Sequence, residues 1–161
     1  MEPKWSEIVC WRELVQNAEN ETGRVYQLVS PITDEEVQEI ETKLDFEFPF
    51  EMLSLYRATN GIKEVLGDEI IGSLVWASED IIERNLEMRT TAGFQDLYMS
   101  FDNLLFFSEV GNGDLFAIPV LNHKCPRTDV FLWEHETDSR IWVAGYLFKF
   151  LENWTLGKLK I

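Results

Sequence analysis

Three short clusters in this chain hold residue types that could do chemistry. His123-Lys124-Cys125 sets an imidazole two residues from a thiol, and both are ligand types that zinc takes readily. A structural zinc site uses four ligands in paired spacing, whereas the other candidates, Cys10 and His135, stand far apart and no CxxC occurs. The spacing favours a loop histidine and a small half-buried cysteine, so no metal is expected. His135-Glu136 with Asp138 puts carboxylates near an imidazole, the pairing that tunes a histidine for acid–base work. Adjacent residues of an extended chain point to opposite faces, and Glu134 to Arg140 is polar and turn-rich, so a solvated loop is the better reading. Gly111-Asn112-Gly113-Asp114 has the glycines of a phosphate-cradling loop. It matches neither the dinucleotide fingerprint nor the P-loop, and no helix N-terminus or lysine follows it. No GxSxG, HExxH or HRD pattern occurs. The expectation is a protein with no catalytic residues and no cofactor, not an enzyme.

Composition narrows the partners. With 45% apolar and 13% aromatic residues, the 161-residue chain has enough to fill a core, which excludes disorder and fits one domain over 1–161. Asp and Glu total 29 against 14 Lys and Arg, a net charge of −15. Such a field repels phosphate backbones, so no nucleic acid is expected as a direct partner. It attracts a basic protein and speeds that encounter. Met1 to Glu7 has no basic n-region, and the longest apolar runs, Leu104 to Phe107 and Leu115 to Leu121, fall short of a membrane span. Two cysteines make no disulfide framework, and a cytoplasmic location is expected.

These clusters must be positioned by regular elements. Ile8, Trp11, Leu14, Val15 and Ala18 predict a first helix over 3–19, ended by Asn20 to Gly23. Arg24 to Val29 reads as a short edge strand or an extended connector. Thr33 with Glu36 forms a capping box, Ile32 and Val37 a hydrophobic staple, and Asp34 and Glu35 suit the positive end of the helix dipole. Phe48-Pro49 must end that helix and open the next, which runs to Thr59 before the Asn60-Gly61 stop. Glu69 to Ala77 reads as a strand with a bend at Gly72, and Ser78 as the cap of a third long helix broken at Gly93. Asn103 to Val110 and Leu115 to Val120 flank Gly111 to Asp114 as a hairpin. Val130 to Glu134 reads as a strand and Arg140 to Val143 is a further candidate. A closing helix carries Tyr146, Leu147, Phe150, Leu151 and Trp154 and stops at Gly157. The class is α+β: a mainly antiparallel sheet covered by helices on one side.

The order of these motifs resembles the SUKH superfamily, which includes fungal cell-wall-assembly regulators and many bacterial immunity proteins. The first half of the resemblance is Ile32-Thr33 with its acidic turn, Ile40-Glu41-x-x-Leu44, Phe48-Pro49, Tyr56 and Asn60-Gly61. The second is Phe106-Phe107 before Gly111-Asn112-Gly113-Asp114, Val130-x-x-Trp133 before His135-Glu136, and the helix with Leu147, Phe150 and Leu151. It covers about residues 30 to 155.

The resemblance implies an α+β interaction platform without catalytic residues. The compact chain looks more like a bacterial immunity protein, which neutralises a cognate polymorphic toxin, often a nuclease, by binding it. A chain at −15 would mimic the nucleic-acid substrate of such a toxin. The partner-binding candidates are Asp34, Glu35, Glu39 and Glu41 in one group and Glu109, Asp114, Glu134 and Glu136 in a second, with Trp133 as aromatic anchor. Glu41 has a second reading as a structural hydrogen-bond acceptor. The alternative function is a constitutive scaffold or regulatory adaptor for an endogenous protein. An enzyme or small-ligand binder would need a deep polar pocket around Trp133 and His135.

Overall fold

The computed structural model describes residues 8–94, 99–159 and 161. The expected start of the first helix at residue 3 falls outside them. Five helices and two antiparallel sheets make an α+β fold. In chain order the elements are α1 (Ile8–Thr22), β1 (Val25–Leu28), α2 (Asp34–Leu44), α3 (Phe50–Ala58), β2 (Ile62–Leu66), β3 (Glu69–Val75), α4 (Ser78–Thr90), β4 (Leu104–Glu109), β5 (Leu115–Pro119), β6 (Val130–Glu134), β7 (Ser139–Ala144) and α5 (Leu147–Thr155). Between α4 and β4 the described residues include two short 3-10 turns, Ala92–Phe94 and Phe101–Asn103.

The strands form two sheets rather than one, ordered β1-β2-β3 and β4-β5-β6-β7. They meet where the Trp76 N–H donates to the Phe107 carbonyl at 2.9 Å and Ser108 Oγ to the Leu74 carbonyl at 2.5 Å. The two faces of the larger sheet are covered differently. On one face α5 sets Phe150 against Phe107 and Phe116, and Trp154 against Phe116. On the other, Phe94 and Phe101 of the 3-10 turns cluster with Phe106 and Trp133, while α4 runs along the free edge of β4, pinned there by Asn85. That buried amide donates to the Ile81 and Phe106 carbonyls at 2.8 Å and accepts from the Phe106 N–H at 2.9 Å. All of its bonding is internal, as burial of an amide requires.

The capping box forms as its spacing requires: Thr33 Oγ1 accepts from the Glu36 N–H at 3.2 Å, and Glu36 Oε1 from the Thr33 N–H at 3.4 Å. Val37, Ile40 and Leu44 are the buried stripe of α2. Pro49 stands at the N-cap of α3, one position before the first helical residue. The α4 cap differs from expectation. Ser78 is the first helical residue, and its N–H is taken at 2.7 Å by Oδ1 of Asn60, eighteen positions earlier in the chain. Gly61, at φ 87°, passes so close to β3 that a Cβ would lie 2.7 Å from the Val75 carbonyl. Asn60-Gly61 is therefore a joint between α3, β2 and α4 more than a helix stop.

Glu51 plays a similar part for the last helix. It is buried on α3, and its carboxylate accepts the Leu147 and Phe148 N–H groups at 2.7 and 3.1 Å and the Thr128 hydroxyl. By accepting those two N–H groups the carboxylate caps α5, whose own N-cap, Tyr146, makes no side-chain cap bond. Burial pushes the Glu51 pKa up, and the three hydrogen bonds oppose that rise.

Candidate protein-binding surfaces

The first acidic group is carried by α2. Its sequence makes a helix with one buried stripe, and every acidic position lies off that stripe. α2 and α3, joined at the Phe48-Pro49 corner, enclose an open groove of about 570 Å³. Val37, Phe48 and Leu53 provide its apolar surface, and Asp34, Glu41, Glu47 and Arg57 its charge. Asp34 faces Arg57 at 3.8 Å. Glu41 Oε2 accepts the Phe48 N–H at 2.8 Å, so this carboxylate ties the corner together, as its second reading anticipated. Glu39 pairs with Lys43 at 2.8 Å and Glu35 stands exposed, and neither lines the groove. Glu47, Arg57 and Leu53 were not singled out from the sequence. Their one signal is proximity to Phe48-Pro49, the joint that brings two helix faces together.

The second group lies at the Gly111–Asp114 turn. Asp114 Oδ1 accepts the His135 N–H at 3.0 Å and sits 2.5 Å from His135 Nδ1. Hydrogen bonds from the His135 side chain and backbone hold the Asp114 carboxyl below the usual carboxylate range. The His135 ring lies over Gly113, where a Cβ would come within 3.1 Å of it, and Gly113 has φ 103°. The glycine turn and the His-Glu pair, 21 residues or more apart in the chain, thus form one unit. Asp114, Glu134 and Glu136 rim a depression of about 280 Å³ there, with Asn112, His135 and Thr137. Glu109 is apart from that rim, paired with Arg84 at 2.8 Å while Arg84 stacks over Trp76.

Trp133 does not serve as a surface anchor. It is 4% exposed, packed edge-on against Phe94, Phe101 and Phe106, with Nε1 donating to Asp138 at 2.7 Å. Among the described residues Trp142 is the exposed tryptophan, at 57%, its Nε1 held by Asp129 at 3.0 Å on the edge strand β7. The depression at His135 is open and Trp133 does not line it.

His123 and Cys125 are not brought to a shared ligand set: His123 Nδ1 faces Asp45 Oδ2 at 3.0 Å. Burial raises the Cys125 thiol to about 12, where it is an inert packing group at neutral pH. Among the described residues no three metal-ligating side chains converge, and no helix is long and apolar enough to cross a membrane.

A family model described as SMI1 / KNR4 family (SUKH-1) matches residues 31–153. Among curated proteins none matches the chain. The matched span opens just before the capping box and closes within α5, so it contains both acidic surfaces.

Proposed function

The chain belongs to the SMI1/KNR4 family (SUKH-1), and on that footing we propose that it is a cytoplasmic immunity protein that binds a cognate toxin and occludes its active cleft. Members of this family are generally immunity or regulatory proteins that bind partner proteins. The toxin is basic and, by the electrostatic argument, a nuclease: a surface made to hold phosphates is also drawn to a chain at −15.

The observation that carries this reading is the α2–α3 groove. It combines an apolar floor with Asp34, Glu41 and Glu47 around one arginine. A lysine or arginine of the toxin can lay its aliphatic stem on Val37 and Leu53 and its charged head among the carboxylates. Asp114, Glu134 and Glu136 offer a second contact of the same sign. Glu35 and Glu39 act at longer range, by steering.

The test is co-expression with the toxin encoded beside this chain's gene, with cell growth as readout. Growth rescue that is lost in the Asp34→Lys, Glu47→Lys variant supports the proposal. Rescue untouched by that variant moves the interface off the groove. Association rates should fall steeply between low and physiological salt, since the Debye length shrinks to about 8 Å there. A rate indifferent to salt removes the steering argument, and a locus with no toxin gene favours the adaptor function instead.

A further inference from the structure

A further cavity, of about 390 Å³, opens where the end of α2 meets α4, the Phe101–Asn103 turn and the loop after β5. That volume is at the lower end of small-ligand pockets, roughly 300–1,000 Å³. Polar side chains dominate its lining: Arg89 from α4, Asp102 and Asn103 from the turn, Asp45 at the C-cap of α2, and Asn122 and His123 from the loop. Arg89 is its fixed point. The side chain is 11% exposed, with Nη1 donating to the Leu44 carbonyl at 2.7 Å and Nη2 to the Leu104 carbonyl at 3.2 Å. A guanidinium carries five N–H donors, so these two bonds leave others over. Nε is buried and meets no hydrogen-bond acceptor among the described residues, and Asp102 Oδ1 stops at 4.0 Å, beyond hydrogen-bond reach. Tethered to two carbonyls, the guanidinium cannot move out to close that gap. A buried donor left in this state calls for an acceptor.

The charges around Arg89 choose the ligand. Burial lowers the Arg89 pKa, and the charges of Asp102 and Asp45 oppose that fall, so both carboxylates act on the guanidinium. Asp45 has one oxygen, Oδ2, 3.0 Å from His123 Nδ1, and Asp102 is 74% exposed. A phosphate or other polyanion would meet those two carboxylates on a chain already at −15. A bare cation, a metal ion included, would face the guanidinium and leave its donors unmet. A compact zwitterion satisfies both halves: its carboxylate takes the Arg89 donors in a charge-assisted bond, and its ammonium goes to Asp102 and Asp45. We propose that this cavity binds a free α-amino acid with a small polar side chain, for which Asn103 and Asn122 supply the remaining polar lining. The site shares no lining residue with the α2–α3 groove or the Asp114 rim, and it does not depend on the protein-binding reading above.

The probes are serine and asparagine, titrated to millimolar concentration into the full-length protein with isotope-labelled arginine, following the Arg89 Nε–H by NMR. The expected result is a saturable shift of that resonance. N-acetylserine and serinamide, each lacking one of the two charges, should bind about tenfold more weakly than serine. Asp102→Asn should weaken serine by about tenfold too, because the ammonium loses a partner while Arg89 keeps its two carbonyls. The two serine derivatives are compared on the wild-type chain, so the test holds even if the variant misfolds. A folded Asp102→Asn protein that binds serine as tightly as wild type overturns the proposal. So does either derivative matching serine, or inorganic phosphate giving the same shift. No shift with serine or asparagine also overturns it, and Nε–H protection that Asp102→Asn removes would then show Asp102 itself closing on Arg89. None of these readouts involves toxin rescue.

Discussion

The two sheets share an antiparallel ladder and differ in what covers them. In the four-stranded sheet, β4 and β5 are buried along almost their whole length, between α5 on one face and Phe94 and Phe101 on the other, with α4 along the β4 edge. In the three-stranded sheet, Tyr26, Ile62 and Val75 are buried while Val25, Leu66, Ile70 and Ile71 are open. Hydrophobic residues in the first sheet are explained by the core they fill. Those at the outer end of the second are not, because strands there would be equally well paired with polar β-branched residues. One sheet is enclosed by the fold, and the outer end of the other is left open by it.

The sharpest way to break this contrast is to remove the pin between α4 and β4. Asn85→Ala leaves the Phe106 N–H and carbonyl without their partner in a dry interior, at about 1–3 kcal/mol for each group left unsatisfied. The expected loss is about 3 kcal/mol in a urea titration. A loss under about 1 kcal/mol would mean the buried sheet is held by packing alone. Next comes the joint between the sheets. Gly61→Ala drives a Cβ into the Val75 carbonyl at a residue with φ 87°, and should cost about 2 kcal/mol by the same measurement.

What could be read in advance divides along the same physical line. The Thr33 capping box, the Phe48-Pro49 corner and the Gly111–Asp114 turn were legible because each is closed within a few residues. Strand β2 was not foreseen: Lys63 and Glu64 interrupt its apolar residues, as happens when half of a strand faces water. The split into two sheets depends on register across the chain, which no local pattern encodes. Ser78 looked like a cap because the true acceptor, Asn60, belongs to another helix's exit. Trp133 and Trp142 both sit on the same face of the large sheet, near the same polar loop. Cover from Phe94 and Phe101 reaches the inner strand β6, where Trp133 lies, and leaves the edge strand β7 exposed. Of the acidic candidates, Asp34 and Glu41 meet in one groove and Asp114, Glu134 and Glu136 on one rim, because helix spacing and hairpin geometry gather them.

A smaller effect is expected at the rim. The Asp114 carboxyl is held below its ordinary range by His135, so its contribution is full above the ordinary range and fades as pH falls through the lowered value. Asp114→Asn should therefore be less stable than wild type at neutral pH, by less than Gly61→Ala, and the gap should close in strong acid. Thermal melts from pH 7 down to pH 2 measure it. A gap that stays constant with pH would mean that the turn depends on the shape of Asp114 and not its charge.

The smallest expected effect on stability decides the contrast between the sheets. Ile70→Thr and Ile71→Thr keep β-branched side chains at two positions more than half exposed, so strand preference is retained and little apolar area is lost from the core. Each should change stability by no more than about 0.5 kcal/mol, the range of surface substitutions away from buried features. Chemical denaturation of the single variants and the pair checks this. If the pair costs as much as Asn85→Ala, the isoleucines are part of the core, and the outer sheet answers to folding after all. If it leaves the denaturation midpoint in place, the two isoleucines have no folding role and the contrast between the sheets stands.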